Sequence, residues 1–339
     1  MKKNVLLALL MIVLIGGTQA QQKHEVLGIV GFYNVENLFD TEDDPEKRDE
    51  DFLPDGRNKW TAERYEKKLH NLAKVISSIG GGPDILGLCE VENRKVVQDL
   101  AMRPELKNKA YQVVHFDAPD RRGIDCALLY NPRVFVPFAT QTVKFEDPED
   151  EDFLTRDILY VKGLFQKRDT LHILVNHWPS RRGGKEDKRI MAGQLARSVV
   201  DSIQGVNADA KIILMGDFND DPTNKSIKNE LRASNKLKKM EKGDLYNTGM
   251  KFFKQGYGSL KYRGVFNLFD QLIISQSLLK QNTKDVFYVT GSFKVFSPEW
   301  MHVKDGQWAG YPFRTYAGGA YKGGYSDHFP VYLFIGGTK

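Results

Sequence analysis

The sequence has few cysteines, little net charge and no hydrophobic run long enough to cross a bilayer comfortably, and each absence excludes a class of protein. Two Cys in 339 residues exclude a disulfide-rich scaffold and a cysteine-based zinc finger. With 13 Pro and 30 Gly, the composition excludes collagen and wholesale disorder. A formal net charge of +5 is too small to indicate nucleic-acid binding by itself. The remaining class is an ordinary folded globular protein.

The first twenty residues have the organisation of a signal peptide. Two lysines precede an apolar run from Val5 to Ile15, and Thr18-Gln19-Ala20 places small residues at a cleavage site. We therefore expect residues 1–20 to be removed and residues 21–339 to form a single domain. The protein would then be exported to the periplasm or secreted, without stable membrane insertion and as a monomer. A retained membrane anchor is the alternative.

The distribution of charge along the chain is more informative than its sum. Residues 21–160 contain 19 basic and 28 acidic residues, a net charge of −9, whereas residues 161–339 contain 28 basic and 16 acidic residues, a net charge of +12. Solvated loops and helix faces would account for this asymmetry. A surface that repels anions beside one that attracts them would also account for it.

Alternating apolar segments and two amphipathic helices predict the architecture. Helices are predicted over 61–79, with Thr61 as N-cap, and over 186–204. The apolar runs that predict strands are Val26–Tyr33, Asp84–Cys89, Tyr111–Phe116, Cys126–Tyr130, Ile158–Phe165, Thr170–Asn176, Lys211–Met215, Gln271–Ser275 and Val331–Ile335. Both cysteines fall in these runs, which indicates buried free thiols. No linker or repeat divides the chain, so we expect one α/β domain with sheets packed face to face and helices outside.

Small polar residues recur at the ends of the predicted strands. Asn34, Glu90 and Asn176-His177 follow strands, Gly216-Asp217-Phe218-Asn219 follows another, and Ser326-Asp327-His328 precedes the last. Carboxylate and amide oxygens are ligands that suit Mg²⁺, Mn²⁺ or Ca²⁺ better than zinc. A histidine beside a carboxylate can act as an acid or a base near neutral pH. Each of these residues alone is weak support for a functional site, because Asp and Glu at strand ends usually form turns or helix caps.

The ordered set of motifs resembles the endonuclease/exonuclease/phosphatase superfamily, also called the deoxyribonuclease-I-like superfamily, and in particular its exported bacterial nuclease-like members. Cys89 stands where relatives commonly carry Gln, and signatures of inositol polyphosphate phosphatases are absent. The matching motifs are Phe32-Tyr33-Asn34-Val35-Glu36-Asn37, Leu88-Cys89-Glu90-Val91, Thr155-Arg156-Asp157, Asn176-His177-Trp178, Gly216-Asp217-Phe218-Asn219, Phe269-Asp270-Gln271 and Ser326-Asp327-His328-Phe329-Pro330.

The resemblance implies a four-layer α/β sandwich of two packed mixed β-sheets flanked by helices, and a divalent-metal-dependent phosphoesterase. It implies metal binding by Asn34, Glu36, Glu90 and Asp327, with Mg²⁺ as the expected metal and Mn²⁺ or Ca²⁺ as alternatives. It implies catalytic roles for His177, Asp217, Asn219, Asp270 and His328. Within this set, Asp270 would orient His328, and the sequence leaves open which imidazole is acid and which is base.

Basic and aromatic residues near these motifs bear on the substrate. Arg156 matches a phosphate-contacting arginine of the deoxyribonuclease branch. Arg181 and Arg182 lie in a glycine-containing loop after His177, where they could bind a flanking phosphate. Tyrosines between Tyr311 and Tyr325 could stack on bases or pack at a sheet edge.

Three functions remain open at this stage. A nuclease that cleaves DNA or RNA is the first. A phospholipid or sphingomyelin headgroup hydrolase, or a sugar-phosphate phosphatase, is the second, and for docking on a membrane Phe252-Phe253 is only a faint candidate. A non-catalytic binding protein on the same fold is the third.

Overall fold

The computed structural model describes residues 24–281 and 285–338. The predicted signal peptide, residues 1–20, lies outside these residues, and the domain boundaries of 21–339 stay a prediction. Among the residues described, no helix combines the length and apolar character needed to cross a membrane.

Strands dominate the described part of the chain. In chain order they are β1 His24–Leu38, β2 Ile85–Val91, β3 Gln112–His115, β4 Asp125–Tyr130, β5 Phe135–Val143, β6 Ile158–Phe165, β7 Asp169–His177, β8 Lys211–Asp217, β9 Ala233–Ser234, β10 Leu245–Asn247, β11 Leu260–Tyr262, β12 Val265–Asn267, β13 Asp270–Ser275, β14 Phe287–Tyr288, β15 Lys294–Val295, β16 Tyr316–Ala317, β17 Ala320–Tyr321 and β18 Val331–Thr338. The α-helices are α1 Ala62–Ser78, α2 Arg94–Ala101, α3 Glu186–Val206 and α4 Met250–Lys254.

Two seven-stranded mixed sheets form the centre of the molecule. The first has the order β14-β18-β1-β2-β4-β3, with β15 also paired to β18, and the second has the order β5-β6-β7-β8-β13-β10-β9. In the first sheet β1 and β2 are parallel, while β18 and β4 run antiparallel to their neighbours. In the second sheet β7 and β8 are parallel and β13 is antiparallel to β8.

Three hydrophobic clusters stack the sheets and helices in four layers. The central cluster joins Phe32 and Cys89 of the first sheet to Ile173 and Met215 of the second. A second cluster packs α1 and α2 on the outer face of the first sheet, and a third packs α3 on the outer face of the second sheet. Both faces of the inner strands are thereby removed from water, which explains their nearly unbroken apolar runs. The predicted four-layer α/β sandwich is confirmed.

The predicted elements agree with the structure where burial is high. Thr61 caps α1, with its side chain accepting a hydrogen bond from the backbone N–H of Arg64 at 3.4 Å. Sequence reasoning missed β5, an edge strand whose residues are mostly exposed, because exposure removes the apolar pattern. Both cysteines are free and buried as expected, and they lie opposite each other on β2 and β4.

Strand pairing brings the polar ends of several strands to one edge of the sandwich. On the second sheet, His177 is paired with Asp217, and Asp217 is paired with Asp270, across three adjacent strands. On the first sheet, Asn34 of β1 lies beside Cys89 of β2, the residue before Glu90. The order of strands therefore explains why residues distant in sequence share one site.

Candidate active site

A histidine held between carboxylates lies at the centre of the site. His328 Nδ1 is 2.7 Å from Asp270 Oδ2, and Asp270 is fully buried. His328 Nε2 lies 3.9 Å from Asp217 Oδ2 and 4.0 Å from Asp327 Oδ1. Asp270 therefore orients the ring through one nitrogen, as expected from the sequence, and the other nitrogen faces two further carboxylates.

Glu90 and Asp217 are joined by a buried amide. Asn34 Nδ2 donates to Glu90 Oε1 at 3.1 Å and to Asp217 Oδ2 at 3.0 Å. The backbone N–H of Asn37 donates to the other oxygen of Glu90 at 3.0 Å. Asn34 thus spans the two sheets and sets the positions of two carboxylates, which would otherwise repel each other.

The second histidine, His177 at the end of β7, faces the carboxylates of Glu90 and Asp217. His177 Nε2 is 3.8 Å from Glu90 Oε1 and 3.8 Å from Asp217 Oδ2. Its Nδ1 is buried and has no hydrogen-bond partner among the residues described. No carboxylate orients this ring as Asp270 orients that of His328, so the two imidazoles are not equivalent.

Four residues of the site adopt a left-handed backbone conformation. Glu36 and Asn37 have φ of 52°, Glu90 has φ of 62°, and Asn219 has φ of 50°. Such values are uncommon outside glycine and cost energy, so the surrounding hydrogen bonds must maintain them. At Asn219 the backbone N–H donates to Asp217 Oδ1 at 2.9 Å, and the side-chain amide donates to the Trp178 carbonyl at 2.9 Å.

The two imidazoles have pKa values shifted in opposite directions. Burial lowers the pKa of His177 well below its usual value, and the nearby cations Arg156 and Arg122 lower it further. Burial also opposes the charged form of His328, yet the carboxylates of Asp270 and Asp217 raise its pKa well above the usual value. His177 is therefore neutral at pH 7, and His328 is protonated.

The carboxylates of the site also differ from one another. Burial raises the pKa of Asp217 to about 7, although His328 acts in the opposite direction. Burial would raise the pKa of Asp327 as well, but Arg314, His328 and Lys68 lower it below its usual value. Asp327 remains ionised at neutral pH, whereas Asp217 can exchange a proton there.

The donor set suits a divalent cation of the hard, oxygen-preferring type. One carboxylate oxygen of Asp217 lies within 4.8 Å of one of Asp270, beside the cationic ring of His328, and Asp270 Oδ1 is buried without a hydrogen-bond partner among the described residues. Glu90 and Asp327 add carboxylates that line the same cavity. The metal's identity is not determined by these donors, which fit Mg²⁺, Mn²⁺ and Ca²⁺ alike.

The site opens into a cavity of about 890 Å³. Glu90, His177, Asp217, Asn219, Asp327 and His328 line its floor, and Arg121, Arg122, Arg156, Arg182 and Lys185 line its cationic side. Tyr262, which is 60% exposed, lines it as well. Asp120, Asp150 and Asp152 line the cavity too, so carboxylates and cations are mixed around it. A metal bound by the carboxylates would let such a cavity accept an anion.

Of the predicted phosphate contacts, Arg156 and Arg182 line the cavity and Arg181 does not. Arg156 is buried and donates to Asp120 and to the Trp178 carbonyl. Its Nε has no hydrogen-bond partner among the residues described. Arg156 thus retains one buried donor atom without a hydrogen-bond partner in the described part of the chain.

Arg181 and Glu36 differ from their predicted roles. Arg181 donates to the Asn219 carbonyl at 2.9 Å and to Asp221 at 3.1 Å, and its guanidinium lies over the Phe269 ring, so it supports the Asn219 loop. Both oxygens of Glu36 accept hydrogen bonds, from Arg314 Nε at 2.9 Å and from the Thr315 N–H at 2.7 Å. These contacts argue against a phosphate-binding Arg181 and a metal-binding Glu36.

Asn34 supports two carboxylates of the site. Its amide oxygen accepts the backbone N–H of Glu36 at 3.0 Å, and it is not among the residues that line the cavity. The structure places it as the support of Glu90 and Asp217, and a direct bond to metal stays a prediction.

Sequence reasoning missed Lys68, whose side chain is almost fully buried. Its Nζ lies 3.9 Å from Glu36 Oε2 and donates to Thr315 Oγ1 at 2.7 Å. Lys68 occupies the apolar face of α1, between Tyr65 and Leu72. A lysine on the buried face of a predicted helix is the signal that could have identified it, because such a residue needs a partner.

Comparisons with known proteins agree with this geometry. The family model described as "Endonuclease/Exonuclease/phosphatase family" matches residues 29–336. None of the curated proteins compared with the chain matches it. Among solved structures, D. rerio TDP2 complexed with a single-strand DNA product is 14% identical, with a TM-score of 0.55 and coverage of 91% of this chain and 98% of that one.

Two proteins of Bacteroides thetaiotaomicron are also similar in structure. An endonuclease/exonuclease/phosphatase family protein is 16% identical, with a TM-score of 0.54 and coverage of 93% of this chain and 98% of that one. A mannosyl-6-phosphatase is 16% identical, with a TM-score of 0.51 and coverage of 91% and 98%. These neighbours show that the chain shares their fold. The family model supports phosphoester hydrolysis and does not identify a substrate. With its motifs, its four-layer fold and the family match over residues 29–336, the chain belongs to the endonuclease/exonuclease/phosphatase family.

Proposed function

We propose that the protein is a divalent-metal-dependent nuclease that hydrolyses phosphodiester bonds of DNA or RNA. The observation that carries the proposal is the cavity itself, where Glu90, Asp217 and His328 share one floor with the exposed Tyr262 and unpaired cations at the rim. Neither Arg182 nor Lys185 forms an ion pair with a residue that the structure describes, so both are free to bind flanking phosphates.

Tyr262 is the residue that favours a nucleic-acid substrate in this proposal. It stands on the β11–β12 hairpin, and the Tyr311 hydroxyl accepts the Gly264 N–H at 2.6 Å, which fixes the hairpin tip. An exposed aromatic ring on a fixed support can stack on a base, and such stacking is tolerant of sequence.

The proposed mechanism assigns a different task to each titratable group. Asp217, with a pKa of about 7, accepts a proton from the attacking water. His328 is held by Asp270 and remains cationic, so it stabilises charge on the phosphate or donates a proton to the leaving oxygen. Neutral His177 and the amide of Asn219 orient the phosphate.

Metal would be held by Glu90 and Asp327 at the cavity floor. When bound, it supplies Lewis-acid polarisation of the phosphate. Arg156 and Arg182 would hold non-reacting phosphate oxygens at the cationic side. We further propose that the protein acts after export, as its first twenty residues suggest.

The experiment is a substrate panel with the purified protein. Plasmid DNA, single-stranded DNA, RNA, mannose 6-phosphate and sphingomyelin vesicles are each incubated with Mg²⁺, Mn²⁺ or Ca²⁺, and products are separated. We expect cleavage of at least one nucleic acid and its loss in Glu90→Gln. Phosphate release from mannose 6-phosphate alone would instead assign a phosphatase, and choline phosphate release would assign a lipid hydrolase. No cleavage of nucleic acid with any of the metals would end the nuclease proposal.

A Tyr262→Ala variant refines the test. If the ring stacks on a base, the variant should lose about tenfold in kcat/KM on single-stranded DNA, because one stacking contact contributes about 1–3 kcal/mol. Tyr257, also exposed but not a cavity residue, provides the control substitution. Equal losses in both variants would show that the effect is not specific to the cavity.

A further inference from the structure

The segment that precedes the last motif is anchored on α1. Lys68 Nζ donates to Thr315 Oγ1 at 2.7 Å and to the Tyr325 carbonyl at 2.8 Å. Asn71, one turn along the same helix, donates its amide to two glycine carbonyls of the segment. These contacts join residues roughly 250 positions apart in sequence, and they fix the path of the chain from Thr315 to Tyr325.

The anchored segment places the Arg314 guanidinium between the carboxylates of Glu36 and Asp327. Arg314 Nε donates to Glu36 Oε1 at 2.9 Å, and Arg314 Nη2 lies 2.8 Å from Asp327 Oδ2. Glu36 is 4% exposed and holds its other oxygen against the Thr315 N–H. A planar guanidinium can bridge two acids in this way because its donors have a fixed geometry, which the single ammonium of lysine lacks.

The bridge leaves Asp327 with one oxygen directed to the site. Its Oδ2 is occupied by Arg314, and its Oδ1 lies 4.0 Å from His328 Nε2. Asp327 lines the cavity, whereas Arg314 and Glu36 do not. Arg314 is thus placed to act on Asp327 and not on a substrate in the cavity.

We propose that Arg314 is a positioning residue, anchored by Glu36 and Lys68, that fixes the Asp327 carboxylate so that only its Oδ1 faces the reacting groups. The inference rests on the proposed function, because Asp327 is placed there among the metal-binding carboxylates. It gives Glu36 a part unlike the metal ligand that its motif predicts. Glu36 positions Arg314, and Arg314 positions the Asp327 carboxylate.

The first experiment separates turnover from binding. Arg314→Gln and Arg314→Lys are compared with wild type on bis(p-nitrophenyl) phosphate, a diester that does not depend on the identity of the natural substrate. We expect kcat to fall by about 10- to 100-fold in both variants, as losses of supporting partners in metal sites do, with KM nearly unchanged. Arg232→Gln is the matched control, because Arg232 is similarly exposed and pairs with Asp244 away from the cavity.

The second experiment measures Mn²⁺ binding by electron paramagnetic resonance. Arg314→Gln removes the cation that occupies Asp327 Oδ2. Its affinity for Mn²⁺ should therefore be higher than that of wild type, even though kcat falls. Asp327→Asn should instead weaken Mn²⁺ binding. Added guanidinium at low concentration should partly restore kcat to Arg314→Ala and have no such effect on Asp327→Asn.

The following results would overturn the positioning role of Arg314. Wild-type kcat in Arg314→Gln would overturn it, as would a joint loss of Mn²⁺ binding and of the thermal midpoint, which indicates collapse of the segment. If the wild-type protein cleaves no phosphodiester, the proposed function fails, and the Mn²⁺ titration still decides the inference. Tighter binding in Arg314→Gln than in wild type would then support it, and unchanged or weaker binding would reject it.

Discussion

At the scale of single residues, the partner of each charged group decides its chemistry. His177 and His328 are both buried beside carboxylates, yet only His328 has a ring nitrogen bonded to a carboxylate, at 2.7 Å. Asp270 holds that nitrogen and raises the pKa, whereas His177 has Arg156 and Arg122 nearby, which lower its pKa further than burial alone. The two histidines are the same residue type, so the difference between their pKa values comes from their neighbours.

The His328–Asp270 contact leads to a prediction about turnover. In Asp270→Asn, the amide cannot stabilise the imidazolium, so kcat measured below the variant's thermal midpoint should fall by about 10²- to 10⁴-fold. Steady-state kinetics on bis(p-nitrophenyl) phosphate provides the measurement. Asp209→Asn, which alters an exposed ion pair with Lys280, is the control and should retain wild-type kcat. Full activity in Asp270→Asn would remove Asp270 from the catalytic set.

A second prediction concerns stability and pH at His172, outside the site. Burial lowers the pKa of His172 to about 4, and the Tyr160 hydroxyl lies 2.7 Å from its Nδ1. Because the unfolded chain takes up this proton near pH 6.5 and the folded chain does not, stability is retained above pH 6.5 and is lost as pH falls towards 4. From pH 7 to pH 5 the loss should be about 2 kcal/mol.

Urea unfolding at the two pH values measures this effect. His172→Gln keeps a polar partner for Tyr160 and removes the titration, so its free energy of unfolding should fall less than that of wild type over the same interval. An equal fall in both proteins would show that other groups cause the acid destabilisation.

At the scale of elements, the close approach of two strands explains why a glycine precedes Asp217 in its motif. A Cβ on Gly216 would lie 2.4 Å from the Asn176 carbonyl oxygen and 2.7 Å from the Asn176 Cβ, on the adjacent parallel strand. Backbone atoms cannot move aside as a flexible side chain can. The glycine that precedes Asp217 is therefore required for β7 and β8 to pair at the edge that carries the site.

Two glycine substitutions should accordingly have opposite effects. Gly216→Ala should destabilise the protein by about 1–3 kcal/mol through overpacking. Gly205→Ala, in α3 with no atom within 4 Å of the new Cβ, should stabilise it by about 0.5–1 kcal/mol. Denaturant unfolding measures both, and a neutral Gly216→Ala would contradict the argument from strand approach.

At the scale of the whole molecule, the division of charge along the chain does not become a division in space. The first sheet combines β1 to β4 with β14, β15 and β18, so both ends of the chain contribute to it. Arg121 and Arg122, from the acidic part, line the cavity beside Arg182 and Lys185, from the basic part. Arg121 is paired with Asp152 and Arg122 with Asp120, so the unpaired positive charge comes from the loop after His177.

A prediction about ionic strength follows from that loop. If nucleic acid is the substrate, log(kcat/KM) should fall linearly with log[salt], and Arg182→Gln with Lys185→Gln should make the slope shallower by about 1.5–2. Lys238→Gln with Lys239→Gln, which removes the same charge from an exposed turn outside the cavity, should leave the slope unchanged. Equal changes in both double variants would indicate attraction by net charge alone.

Local sequence patterns were sufficient to predict the buried strands, helix α1 with its Thr61 cap, and the polar residues at the strand ends. These features follow from local patterns of apolar residues and from motifs that lie within a few positions of each other. Gly216-Asp217-Phe218-Asn219 is an example, because the strand, the close approach and the left-handed Asn219 all lie in one short segment. Their mutual placement depends on the strand order of the two sheets, which the structure shows.

Long-range packing, in contrast, sets which partner each charged side chain takes. Glu36 lies beside the metal-site motif in sequence, and its carboxylate bonds to Arg314, 278 positions away. Arg181 lies beside Arg182, yet one supports the Asn219 loop and the other faces the cavity. A buried charge is stable only with a suitable partner, and that partner is set by how distant segments pack, which no local pattern records.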